Sequence, residues 1–195
     1  PSRSALIKPF LAPNTTNITK TASKTKSKNK SYYKDLSPLI NVTVSELFLE
    51  ADNKILELGA KLRLVNNPLV RITTVDDGNK DDKSYDLCLV TEVGYAVLGN
   101  ELTLAMVPGE LMPEIAVGGA APSWASYNGE EWNKPSLKEL FGNSLAVIGL
   151  CNDFIGYIVP DNDYGSVFAP LHYEEAVSAG EKTASEIVSA FMRLK

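Results

Sequence analysis

Residues Asp86–Val107 read DLCLVTEVGYAVLGNELTLAMV. Two β-rich apolar runs flank Gly99-Asn100, a pair suited to the positive φ of a tight turn. The pattern predicts an antiparallel hairpin over Asp86–Leu98 and Glu101–Val107, so the fold is built round a sheet. Leu69–Val75, LVRITTV, alternates like a further strand. Leu145–Leu150, LAVIGL, is a continuous apolar run of the kind seen in strands buried on both faces. Phe154–Val159, FIGYIV, continues as strand or extended chain.

Helical spacing is expected in two longer segments. From Val42 to Leu64 the positions Leu47, Leu49, Ile55, Leu56 and Leu58 fit a helix, with Ser45 as N-cap and Gly59 marking an end or kink. From Tyr173 to Leu194 the period predicts one helix with Val177, Ala184, Ile187, Val188 and Phe191 inward. Pro113–Ala121 holds a short helix before a Gly/Pro/Ser/Trp-rich loop through Trp132. There is no internal repeat. The expected fold is α/β or α+β: a mixed central β-sheet with flanking helices and a C-terminal helix, part of a larger domain.

The chain has 195 residues, 44% of them hydrophobic, which suffices for one domain with a sizeable core. Its mean hydropathy of −0.08 is that of a soluble globular protein. No apolar run approaches the roughly 20 residues that span a bilayer, and PSRSALIKPF lacks the hydrophobic core of a secretory signal. The start at proline rather than methionine suits a processed or truncated product.

The net charge of −5 conceals an asymmetry. Residues 1–35 carry eight Lys/Arg and one acid, leaving 11 basic and 23 acidic side chains beyond them. The acidic remainder argues against nucleic-acid binding, which needs a basic face. Residues 1–40 read as a basic, polar and flexible lead-in, able to touch anionic lipid or a partner, and 41–195 as the folded portion. Asp76-Asp77-Gly78-Asn79-Lys80-Asp81-Asp82 reads as a solvated hairpin loop, because a calcium loop needs a glutamate in its twelfth position and none is in register. Cys88 and Cys151 read as buried free thiols, with one disulfide open to them in an exported protein.

A single histidine, His172, limits the catalytic options. No Gly-x-Ser-x-Gly elbow presents a serine, and no Walker A or Gly-x-Gly-x-x-Gly loop cradles phosphate. A zinc site from this chain alone lacks its usual two or three histidines. Two features stand out, Pro108-Gly109-Glu110 and Gly149–Pro160, GLCNDFIGYIVP. Both follow predicted buried strands, and ligand sites of α/β sheets gather beyond the carboxyl ends of strands. Glu110, Asn152, Asp153 and Tyr157 are therefore candidates to converge on one crevice. The competing assignment is to turn and core positions, with Asn152 and Asp153 satisfying backbone groups at a strand end.

The pair VPGEL, Val107–Leu111, and GLCNDFIGYIVP, Gly149–Pro160, resembles the neutral (alkaline) ceramidase family. There a Pro-Gly-Glu closes one strand, and a Gly-Leu-x-Asn-x-Tyr/Phe-x-x-Tyr-Ile segment follows some forty residues later. The longer separation here fits an enlarged loop around Gly118–Lys134. Pro170-Leu171-His172 is similar to a Pro-His before the family's terminal helix, with Leu171 inserted. The likeness covers about Glu92–Lys195.

The resemblance implies a zinc-dependent amidohydrolase that cleaves the N-acyl amide of ceramide-like lipids, commonly secreted or membrane-associated. It implies Glu110 and Tyr157 as two zinc ligands, Tyr157 also hydrogen-bonding the developing oxyanion. Two histidine ligands and a serine-bearing motif belong to the family's earlier half and have no counterpart here. The expectation is thus a C-terminal portion that needs an N-terminal half or companion chain to hold zinc. The alternatives are a non-catalytic α/β module that has lost the metal site, or a subunit docking on a membrane or partner. His172 is either a capping or surface residue or a site-lining one. Trp124 and Trp132 either line a lipid-binding mouth or pack a long loop.

Overall fold

The computed structural model describes residues 37–64, 69–72, 85–99, 101–168 and 172–195, all within the compact unit Leu36–Lys195. Most of the basic lead-in, the acidic 76–82 turn, Asn100 and Pro170-Leu171 lie outside the described residues. The expected hairpin is present. Strand β3, Tyr85–Leu98, pairs antiparallel with β4, Leu102–Met106, from Leu98↔Leu102 to Gly94↔Met106, with Gly99 at φ 60° opening the turn.

The segment expected to be a helix from Val42 to Leu64 is instead a strand followed by a shorter helix. Strand β1, Ile40–Glu50, pairs antiparallel with β3 along its whole length, Ile40↔Leu98 to Glu50↔Cys88. Its residues alternate strictly. Leu47 and Leu49 are buried on one face, while Val42, Val44 and Phe48 point to the other. Five β-branched or aromatic side chains in the strand (Ile40, Val42, Thr43, Val44, Phe48) favour this pleat over a helix. Ser45 therefore caps nothing. Helix α1, Lys54–Lys61, starts at Asn53, and Gly59 lies inside it.

Strand β2, Leu69–Ile72, is the expected strand and pairs with the start of β3. Strand β6, Leu145–Ile148, runs parallel to β4 from Thr103↔Leu145 to Met106↔Ile148. The main sheet is therefore a mixed five-stranded one of order β1-β3-β4-β6, with β2 also on β3. This is the α/β class expected, with flanking helices and a C-terminal helix. A second, two-stranded sheet joins β5, Glu110–Leu111, to β7, Tyr157–Ile158, in parallel. Short helices α2, Pro113–Val117, and α3, Leu137–Phe141, lie between. Helix α3 begins in a capping box formed by Ser136 and Glu139, a sequence signal that the reading above passes over.

The segment expected to be one helix from Tyr173 to Leu194 is broken into α4, Tyr173–Ala176, and α5, Thr183–Leu194. Between them, Ser178 and Gly180 are buried and Val177, expected inward, is exposed. Ala184, Ile187, Val188 and Phe191 of α5 are fully buried against the inner face of the sheet, beside Leu49, Leu89 and Val93. Each such side chain contributes roughly 1.5–3 kcal/mol of transfer free energy. The two cysteines are free.

The break has an identifiable cause. Asn53, 2% exposed, accepts from the Ile55 and Leu56 amides to cap α1. Its amide nitrogen donates to the carbonyls of Glu175, Ala176 and Ser178 at 2.9, 3.3 and 2.7 Å. Those carbonyls end α4 and need partners once the helix stops. Gly180 then passes so close to Asp52 that a Cβ would strike its carboxylate, while the Glu181 amide donates to Asp52 Oδ1. Asn53→Ala removes a cap and the donor to the Ala176 and Ser178 carbonyls, while the Glu175 carbonyl keeps the Ser178 and Tyr164 hydroxyls, so we expect a loss of about 3 kcal/mol in urea unfolding. Asn53→Asp keeps the cap and loses the donor, and should fall between. A loss below about 1 kcal/mol for the alanine variant would refute the tie.

Candidate functional site

Strands β4 and β6 end side by side, and the chain beyond each is tied to the other. The Val107 amide donates to the Ile148 carbonyl, and the Cys151 amide to the Val107 carbonyl, both at 2.9 Å. Leu150 and Ile155 then donate to the carbonyls of Gly109 and Pro108. Glu110 donates to Gly156 at 2.9 Å and Met112 to Ile158 at 3.1 Å, which fixes the β5–β7 register as Glu110↔Tyr157 and Leu111↔Ile158. On its other side Tyr157 donates its amide to Val177, and it forms a parallel bridge with Ser178. Three extended segments thus lie abreast, with Tyr157 in the middle.

Two glycines make this possible. A Cβ on Gly109 would collide with the Gly156 carbonyl and crowd Ile155 and Ile158. A Cβ on Gly156, whose φ is +85°, would overlap the Val177 carbonyl. The glycines of Pro-Gly-Glu and Gly-Tyr are therefore the close-approach points that bring the following residues, Glu110 and Tyr157, together.

Both side chains are half-buried. Interaction of the phenol with the neighbouring Glu110 carboxylate, helped by burial and nearby negative charge, holds the Tyr157 hydroxyl above its usual pKa. The Tyr173 ring meets the Tyr157 ring edge-on at 5.7 Å. Beneath, Ser178 bonds the Tyr164 hydroxyl at 2.7 Å, and burial pushes Tyr164 up to about 12, so that it stays neutral. Tyr173, Ser178 and Asn53 support Tyr157 without a motif of their own; only the fold discloses them.

The other candidates stand apart. Leu150 at φ 54° and Asn152 at φ 70° take the left-handed conformation and turn the chain after β6. The Asn152 and Asp153 side chains line a cleft of about 230 Å³ with Glu46, Val90, Thr91 and Glu92 rather than joining the Glu110–Tyr157 pair. Asp153 also accepts from the Phe154 amide at 2.7 Å. His172 Nδ1 lies 2.8 Å from the buried Glu175 carboxylate, and its ring meets that of Tyr127 edge-on. Trp124 is 87% exposed, whereas Trp132 packs on the core. Its loop is anchored by Asn162, which donates to the carbonyls of Ala121 and Glu130.

Glu110 and Tyr157 offer two oxygen donors from adjacent strands, which suits two corners of a tetrahedral zinc site. Among the described residues no three His, Cys, Asp or Glu side chains are grouped to hold a metal. Set against family models, curated proteins and solved structures, it matches none.

Gly156→Ala should unfold the chain or cost more than about 3 kcal/mol, since both conformation and space forbid the methyl. Gly129, at φ +76° with open space around it, is the control and should cost about 1–2 kcal/mol. Equal costs in denaturant unfolding would show that the close approach is unimportant. Glu175 gives a pH signature. Burial alone would raise its pKa, but hydrogen bonds from His172 and the Glu175 and Gly165 amides outweigh it and lower the value. Its contribution is then complete above the ordinary 4.5 and is lost as pH falls through the folded-state value. Glu175→Gln should flatten the acid limb of the stability profile; an unchanged limb would remove the assignment.

Proposed function

We propose that this chain is the C-terminal portion of the catalytic domain of a zinc-dependent amidohydrolase acting on a lipid-like N-acyl amide. An N-terminal half or companion chain of the same protein supplies the two histidine donors. The observation that carries this reading is the Glu110–Tyr157 pair. A carboxylate and a phenol are set side by side by backbone register, just past the ends of β4 and β6. The resemblance of Val107–Leu111 and Gly149–Pro160 to ceramidases gives the pair its chemistry.

When bound, zinc supplies Lewis-acid polarisation of the amide carbonyl and acidifies a water molecule. The chain's own part is to hold and orient. Glu110 and Tyr157 present oxygen atoms on neighbouring strands. The Tyr157 hydroxyl, kept protonated beside Glu110, is a donor able to turn to the carbonyl oxygen as charge develops there. The exposed Trp124 suits contact with an acyl chain at the mouth. No helix among the described residues is long and apolar enough to cross a membrane. The acidic balance of the folded portion favours no nucleic-acid partner.

A second reading is a non-catalytic module. It is favoured by one observation: among the described residues no three His, Cys, Asp or Glu side chains are grouped to hold a metal. Metal analysis separates the two. We expect the chain alone to hold no zinc at micromolar metal, and the combined protein to hold about one zinc per site. Glu110→Gln and Tyr157→Phe should each cut amidase turnover of the combined protein by at least about 100-fold, with circular dichroism unchanged. Full turnover in both variants, or a combined protein without zinc, would favour the module.

A further inference from the structure

The inner face of the main sheet is buried, yet its outer face is apolar and bare among the described residues. In β1 apolar side chains lie on both faces. Leu47 and Leu49 point inward, while Ile40, Val42, Val44 and Phe48 point outward, with Ile40 and Val42 66% and 60% exposed. Met106 and Ile148, paired across β4 and β6, continue that outer surface. Gly94 sits between Val44 and Met106, and a Cβ there would lie 3.1 and 3.3 Å from their side chains, so its absence lets the two close over the backbone. A strand that faces water on one side alternates apolar with polar residues, and parallel pairs such as β4–β6 are found covered on both faces. The face runs roughly 35 Å along β1 and about 15 Å across the strands. Bare apolar surface of this extent marks an interface.

Charge identifies the occupant. Glu46 and Glu92 are direct cross-strand partners in the middle of this face. They share the cleft of about 230 Å³ with Asp153, and neither has an ion-pair partner among the described residues. Like charges directly opposite on a sheet repel unless a cation lies over them. A second copy laid face to face would add carboxylates to this cluster, and an anionic lipid surface would be repelled by it. A polypeptide with an apolar face and an arginine or lysine over Glu46–Glu92 satisfies both features. The face also ends where Met106 and Ile148 close their strands, four residues before Glu110. A polypeptide seated here reaches the end of the sheet from which Glu110 leaves.

We propose that the outer face of the main sheet is the docking surface for the N-terminal half or companion chain. That partner's docking face is apolar and carries a basic side chain over Glu46 and Glu92. The identity of the partner rests on the zinc-amidohydrolase reading; the surface and its chemistry rest on the sheet alone.

The test mixes the full chain with the separately expressed N-terminal half of the same gene product and follows binding by sedimentation and titration calorimetry. Two variants are compared with the wild type. Val44→Glu/Met106→Glu adds charge to the apolar face, and Glu46→Lys/Glu92→Lys reverses the acidic pair. Circular dichroism first establishes that each is folded, and the second changes only exposed side chains. We expect a one-to-one complex, weakened at least 100-fold by the first variant and at least tenfold by the second. No complex, or one indifferent to both variants, would overturn the proposal. So would self-association of the chain alone, or binding to phosphatidylserine vesicles, if the first variant abolishes it. A variant-sensitive complex that takes up no zinc keeps the docking surface and sinks the amidohydrolase reading. A zinc-loaded, active complex indifferent to both variants does the reverse.

Discussion

The contact on which the candidate site depends is the passage of Gly156 beneath the Val177 carbonyl. It leaves no room for a side chain, and its φ of +85° leaves no room for most other residues. Because Gly156 lies there, Tyr157 can donate its amide to Val177 while Glu110 donates to Gly156 from the other side. Val177 is in turn placed by the end of α4, which Asn53 holds open by taking its carbonyls. A chain of hydrogen bonds therefore runs from the Asn53 side chain that caps α1 to the backbone amide of Tyr157. Backbone positioning of this kind holds a functional pair more tightly than rotamer preference, since no side-chain entropy is spent on bringing the two strands together.

The placement of Glu110 beside Tyr157 also bears on how the proposed metal site would behave. A carboxylate and a phenol at a half-buried position each carry a desolvation cost when nothing polar lies near. Set side by side they offset part of it, and the raised Tyr157 pKa records that the neutral phenol is the form favoured. On the proposed reading, a cation would have to displace the phenol proton before both oxygens could ligate it. Two donors would be too few to offset that displacement, whereas four would suffice.

Much of the sheet was legible in the sequence, and where it was not, the reasons are physical. The β3–β4 hairpin announces itself through alternation and Gly99. Strand β1 does not, because both of its faces are apolar and Leu47, Leu49, Ile55, Leu56 and Leu58 satisfy a helical spacing by coincidence. The interruption at Val177–Lys182 leaves the helical pattern unbroken in sequence; it is imposed by Asn53 and Asp52, more than 120 residues away. The adjacency of Glu110 and Tyr157 was expected from their place after apolar strands and from motif resemblance, and the structure sets the two side by side. Asn152 and Asp153 were expected beside them. Left-handed Leu150 and Asn152 turn those side chains to the cleft beside Glu46 and Glu92, and periodicity carries no signal for that.

On the proposed reading, the misread strand and the two-donor site have a common origin. Strand β1 eludes pattern analysis because its outward residues are as apolar as its inward ones, which is the composition of a strand covered on both sides. Among the described residues no three His, Cys, Asp or Glu side chains are grouped to hold a metal, so on the proposed reading the Glu110–Tyr157 pair needs donors from elsewhere. The bare face lies along the strands of the main sheet, and the pair lies on the separate two-stranded sheet just past the ends of β4 and β6. On that reading one partner polypeptide accounts for both, whereas a self-sufficient module would have to explain the exposed Ile40–Phe48 stripe and the buried Pro-Gly-Glu turn separately. The acidic pair within the stripe adds a condition that any cover must meet: opposite Glu46 and Glu92, it must bring positive charge.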